Sequence, residues 1–173
     1  MQDRKFPIGP FVLKEEYTPE EFQELLTIIE NSPSDYQYIT ANLTSADLVK
    51  TYREGSWTVQ QLVHHVADIQ LLHYFRMKKA LTETDYTTLT LISMDGWAAT
   101  PDGKYAPLED SLLLFEGVTG RYVYLAKSLG DEQLAIQYYH PVRHFWLNQK
   151  QALAMTAWHI QHHLAHIRLA LQS

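Results

Sequence analysis

Apolar residues at Phe22, Leu25, Leu26, Ile28 and Ile29 recur at the three-to-four spacing of an amphipathic helix. Thr18 stands ahead of them as a cap, Pro19 suits the first helical position and Glu21 completes a capping box. Pro33 is expected to kink or interrupt this helix, whose pattern resumes through Tyr38, Ile39 and Leu43. Thr44 and Asp47 repeat the capping-box spacing over a short turn or helix, and Tyr52 to Gly55 reads as a loop. A second long helix starts at Thr58, with Gln61 three residues on, and runs to about Leu81 behind Leu62, Val63, Val66, Ile69, Met77 and Ala80. Residues 82–106 form a long connection with turn signals at Asp95-Gly96 and Pro101-Asp102-Gly103. A third helix covers about Leu108 to Leu129 and is expected to end at Gly130. Alternating aromatics from Leu134 to Trp146 suggest a small hairpin or an irregular excursion. The last helix begins near Asn148, with Gln151 as capping partner, and carries Leu153, Ala157, Ile160, Leu164, Ile167 and Leu171 on one stripe. Four long helices with long connections predict an all-α four-helix bundle with at least one crossover, folded as one domain over residues 1–173.

Composition narrows the functions open to such a bundle. Hydrophobic residues make up 46% and charged residues 20% of the chain, which excludes a disordered reading. A net charge of −6 argues against nucleic-acid or anionic-membrane binding, which need clustered Lys and Arg. The chain has no cysteine, so any metal must be held by His, Asp or Glu, and the protein offers no thiol nucleophile of its own. The opening residues show no secretory pattern and no apolar run reaches the ~20 residues of a membrane span, so a cytoplasmic protein is expected.

The histidines change the picture most. Six of nine fall at His64-His65 and at His159, His162, His163 and His166. With about 100° of rotation per residue, His159 and His163 sit one above the other roughly 80–120° from the last helix's apolar stripe. His65 lies at about the same angle on the second helix, with His64 on nearly the opposite face. Two stripe edges on neighbouring helices can meet, so His65, His159 and His163 are the candidate ligands of one divalent ion, zinc or nickel first among them. Three protein ligands and an open position form the catalytic pattern, in which water is ionised near neutral pH or a thiol is kept ionised. Positions 159–163 read His-Ile-Gln-His-His, which is not the metalloprotease motif. Histidines that merely serve the core stay open as the alternative. His73 faces the core and is expected to be buried and hydrogen-bonded. His64, His162 and His166 are expected at the surface or beside the ligands.

The chain resembles the DinB/YfiT-like superfamily, and within it the YfiT-like branch. The resemblance rests on Pro7-Ile8-Gly9; Tyr52-Arg53, Gly55 and Trp57-Thr58-Val59; Gln61, Val63-His64-His65 and Ala67-Asp68; Tyr74 and Arg76; Tyr139-His140-Pro141; and Trp158-His159, His162-His163 and Ala165-His166-Ile167. It implies a bundle in up-down-down-up order. It also implies a metal held by the second member of His64-His65 and by the pair His159/His163, the same three residues that the helical geometry selects. The resemblance further implies a metal-dependent hydrolase or a thiol-dependent S-transferase of the bacillithiol type, with a low-molecular-weight thiol as cosubstrate, and a homodimer.

Other residues have two readings each. Asp68, one turn after His65, either receives a ligand's spare N–H or is a solvated carboxylate. Arg76 either binds a carboxylate of a thiol cofactor or forms a surface salt bridge. Trp57 either walls a pocket or packs at the helix start, and Trp158 reads as a packing or oligomer contact. The sequence therefore predicts a metalloenzyme acting on a small molecule, with a non-catalytic metal-binding or sensing protein as the alternative.

Overall fold

The computed structural model describes residues 3–172. Its elements are α1 (Pro19–Thr40), α2 (Ser45–Leu48), α3 (Val59–Thr82), α4 (Met94–Ala98), α5 (Pro101–Tyr105), α6 (Leu108–Lys127), α7 (Asp131–Leu134), β1 (Gln137–His140), β2 (Phe145–Asn148) and α8 (Gln149–Leu171). The capping boxes read from sequence form at Thr18/Glu21, Thr44/Asp47, Thr58/Gln61 and Asn148/Gln151, so each start is fixed by side chains that satisfy otherwise orphaned amides.

Two expectations about helix ends are corrected. α1 runs through Pro33 without interruption. Proline removes the amide that would bond to the Ile29 carbonyl, and the Ser32 hydroxyl donates to that carbonyl instead at 2.6 Å. α6 stops at Lys127, and Gly130 has an ordinary φ of −80° as the N-cap of α7 rather than a left-handed C-terminal position.

α1, α3, α6 and α8 make the bundle: α1 and α3 each pack against both α6 and α8. Contact pairs fix the directions. His64 meets Ser111 and Tyr74 meets Tyr122, so α3 and α6 run parallel. Lys127 pairs with Glu30 and Gln37 with Glu116, so α1 and α6 are antiparallel. Lys150 lies over Phe22 and Tyr36 bonds to Ile160, so α1 and α8 are parallel. His65 meets His163 and His73 meets His159, so α3 and α8 are antiparallel. In chain order this is up-down-down-up. Residues such as Leu26, Ile29, Tyr36, Leu62, Phe115, Tyr122, Leu153, Ile160 and Ile167 fill the core.

A parallel α3/α6 pair needs a connection that returns along the bundle, and residues 83–107 supply it. The connection is stitched to the start of α3: Gln61 donates to the Ala98 carbonyl and Gln60 to the Ala106 carbonyl. The excursion before α8 is a hairpin with Gln137 opposite Asn148 and His140 opposite Phe145. Thr87 and Leu89 of the connection bond to Tyr139, which ties the two irregular regions together. Among the described residues no helix is long and apolar enough to cross a membrane.

Candidate metal centre

α3 and α8 bring His65, His159 and His163 together. The ring centroids stand 4.5–5.2 Å apart in the three pairs. His65 Nε2 lies 3.1 Å from His159 Nε2, and one nitrogen from each of the three rings lies within 4.8 Å of the others. Two nitrogens held by one tetrahedral ion at ~2.0–2.1 Å stand roughly 3.3 Å apart, so this donor set fits a divalent ion. Burial holds the imidazoles neutral, as ligands must be. It depresses His65 to about 4 and His159 and His163 well below the ordinary histidine value, with neighbouring imidazoles adding to the effect.

A backbone group orients one of these candidate ligands. His166 Nε2 lies 3.2 Å from the Lys5 carbonyl, which can only accept, so this nitrogen carries the proton. The ring is held neutral by burial, so its Nδ1 carries the lone pair. That Nδ1 lies 3.4 Å from His163 Nδ1, which must then be the donor, and the lone pair of His163 falls on Nε2. His166 is thus buried beside a candidate ligand, stacked on Tyr52 at 3.8 Å.

His162 is also buried, between Trp158 at 4.5 Å and Phe6 at 5.9 Å. Helical angle alone turns both side chains towards solvent. The N-terminal strap covers them, anchored where Trp158 Nε1 donates to the Gly9 carbonyl. His64 is likewise buried rather than exposed. It is bonded to Ser111 Oγ and to the Ala106 carbonyl, which spends it on holding the 83–107 connection.

Trp57 lies 4.5 Å from the His65 ring and donates to Asp95, so it packs against the candidate ligand at the start of α3. Asp68 makes no hydrogen bond to the three imidazoles among the described residues, and burial raises its carboxyl to about 6. Arg76 is buried, not at the surface. It donates twice to the Thr90 carbonyl, and no salt bridge engages it among the described residues. His73 is buried as expected, but its Nε2 has no hydrogen-bond partner among the described residues.

Two cavities of about 270 Å³ flank the centre. One is lined by His159 together with His73, Arg76, His140 and Arg143. The other is lined by His163 with His162, His166, Tyr52 and Trp57. Two larger surface grooves, of about 660 and 650 Å³, touch none of the three imidazoles. Sequence reasoning missed Arg143, and it left His140 unplaced because both sit on the hairpin. It had no means of finding the Lys5 carbonyl, which carries no residue-specific signal.

Residues 28–167 match the pattern described as the DinB superfamily. This chain belongs to the DinB superfamily. Among its superfamily relatives is the "Putative metal-dependent hydrolase" of Oceanobacillus iheyensis, 39% identical over 171 residues, which cover 99% of this chain and 97% of that one. YfiT of Bacillus subtilis is 32% identical over 162 residues, 94% of this chain and 90% of YfiT. The solved structure of YfiT, described as a probable metal-dependent hydrolase with an unusual four-helix bundle topology, superposes with a TM-score of 0.92 at 31% identity over 98% of this chain and 97% of that one. A mycothiol-dependent maleylpyruvate isomerase matches with a TM-score of 0.68 over 84% of this chain and 60% of its own length. At 18% identity that likeness is one of fold.

Proposed function

We propose that this DinB superfamily protein is a metal-dependent enzyme. It holds one zinc or nickel ion on His65, His159 and His163 and transfers a low-molecular-weight thiol to an electrophilic carbon. The observation that carries the reading is the meeting of three neutral imidazoles between two cavities. A fourth protein ligand would favour a sensing or storage role, and none completes the set among the described residues. An ion in this donor set supplies a Lewis acid that keeps a thiol or a water ionised near neutral pH. In the transfer a sulfur–carbon bond forms, the bond from that carbon to its leaving group breaks, and the thiol proton passes to solvent. The chain contributes the ligands, the orientation of His163 by His166, and the two cavities beside them. Separate cavities suit two organic reactants. Hydrolysis needs only one and is the second reading, favoured by the names of the relatives.

Elemental analysis of the wild type beside His65→Ala and His159→Ala tests the centre. About one equivalent of metal is expected in the wild type and loss in both variants. No metal in the wild type after incubation with zinc and nickel sinks the proposal. With metal restored, turnover of a thiol with an activated aryl halide supports transfer. Turnover of esters or amides without thiol replaces transfer with hydrolysis. Light scattering on the same samples tests the homodimer that the family resemblance implies.

A further inference from the structure

The cavity beside His159 has a chemistry that the metal does not require. Much of its wall is apolar, from Ile69, Leu91, Ile92, Met94, Val142 and Met155. At its rim Leu91, Met94 and Val142 leave 45%, 38% and 66% of their surfaces in water. Two guanidinium groups also line it. Arg76 is buried to 4% exposure, and Arg143 sits on the exposed hairpin turn. Arg143 lies over the Trp158 and Phe11 rings. Neither arginine has a carboxylate partner among the described residues. A buried cation without a counter-ion is costly, and a guanidinium is built to meet a carboxylate. His140 lies within electrostatic reach of both arginines. Buried His73, on the same wall, keeps an Nε2 that no group among the described residues satisfies.

We propose that this cavity is the binding site for an organic carboxylate on an apolar skeleton, with Arg76 and Arg143 taking the carboxylate and the apolar wall taking the body. A cavity lined by two cations and no carboxylate selects such a ligand over a neutral one of the same shape, because the neutral ligand leaves both cations without a counter-ion. That this anion is a reactant of the metal centre rests on the proposed function. That it binds does not.

The test uses metal-free protein, so that no ion can take the carboxylate. Titration calorimetry compares 3-phenylpropionate with 3-phenylpropionamide. The carboxylate is expected to bind at least about tenfold tighter. Arg143→Gln, on an exposed turn, should abolish the preference while leaving the amide unchanged. Arg76→Lys should weaken the carboxylate less, since it keeps the charge and loses the planar fork. Equal binding of the two probes, no binding of the carboxylate at millimolar concentration, or a preference that survives both substitutions overturns the proposal. Repeating the titration after addition of zinc separates the two ideas. Failure to take up zinc removes the metal centre and leaves the anion site standing.

Discussion

His163 has both ring nitrogens placed. Nδ1 donates to His166, which leaves the lone pair on Nε2. Its tautomer depends on His166, and through it on the Lys5 carbonyl. Removing the outer partner of a ligating imidazole typically costs 10–100-fold in metal affinity. His166→Ala is therefore expected to weaken zinc binding by roughly that factor while the bundle persists, as read by competition with a chromogenic chelator. Nitrogen-coupled NMR of the metal-free protein should show His163 changing from a fixed Nδ1–H tautomer to a mixture. Unchanged affinity and tautomer would mean that His166 only fills space. At this scale the sequence is a good guide to which three imidazoles meet between α3 and α8, because their angles relative to the apolar stripes are set by helical geometry. His162 and His166 do stand beside His163, but the surface alternative fails for them and for His64, because the segments that bury them lie outside the helices that carry them.

Helix α1 shows how an element absorbs a local conflict. Pro33 strands the Ile29 carbonyl inside the core, and Ser32 rescues it. Ser32→Ala should cost about 1–3 kcal/mol in urea denaturation, the penalty of a buried acceptor left alone. In a Pro33→Ala background the restored amide takes over the carbonyl, and the same substitution should cost little. Additive losses would show that the Ser32 bond is incidental. The starts of α1, α3 and α8 are legible because each is capped by a local agreement between two residues three apart. Helices α4 and α5 and the partners of the hairpin are not. They are held by distant groups, such as Gln61 on the Ala98 carbonyl and Tyr139 on Thr87 and Leu89.

Across the whole molecule, eight of the nine histidines have depressed pKa values, with burial the leading cause in each. In metal-free protein these imidazoles stay neutral while the unfolded chain protonates near 6.5. The unfolded state then binds more protons, so stability rises with pH. The contribution is complete above about 6.5 and is lost as pH falls towards about 4, where His65, His140 and His162 titrate. Asp68, raised to about 6, works in the opposite sense and is a single group. Denaturation midpoints in the presence of a chelator should fall steeply between pH 6.5 and 4.5. A flat profile would mean that these rings are hydrated. The up-down-down-up order is legible at this scale only through the family resemblance, since periodicity gives each helix a buried face and no direction.

The acceptor that orients His166 is a main-chain oxygen, and this has a consequence for how the protein tolerates change. Every amino acid at position 5 brings the same carbonyl, so a substitution scan should find the position permissive. Shortening the strap by one residue would move that oxygen out of reach while leaving every helix in place. Insertions and deletions ahead of Gly9, rather than substitutions, are the changes through which the N-terminal strap can tune the metal centre.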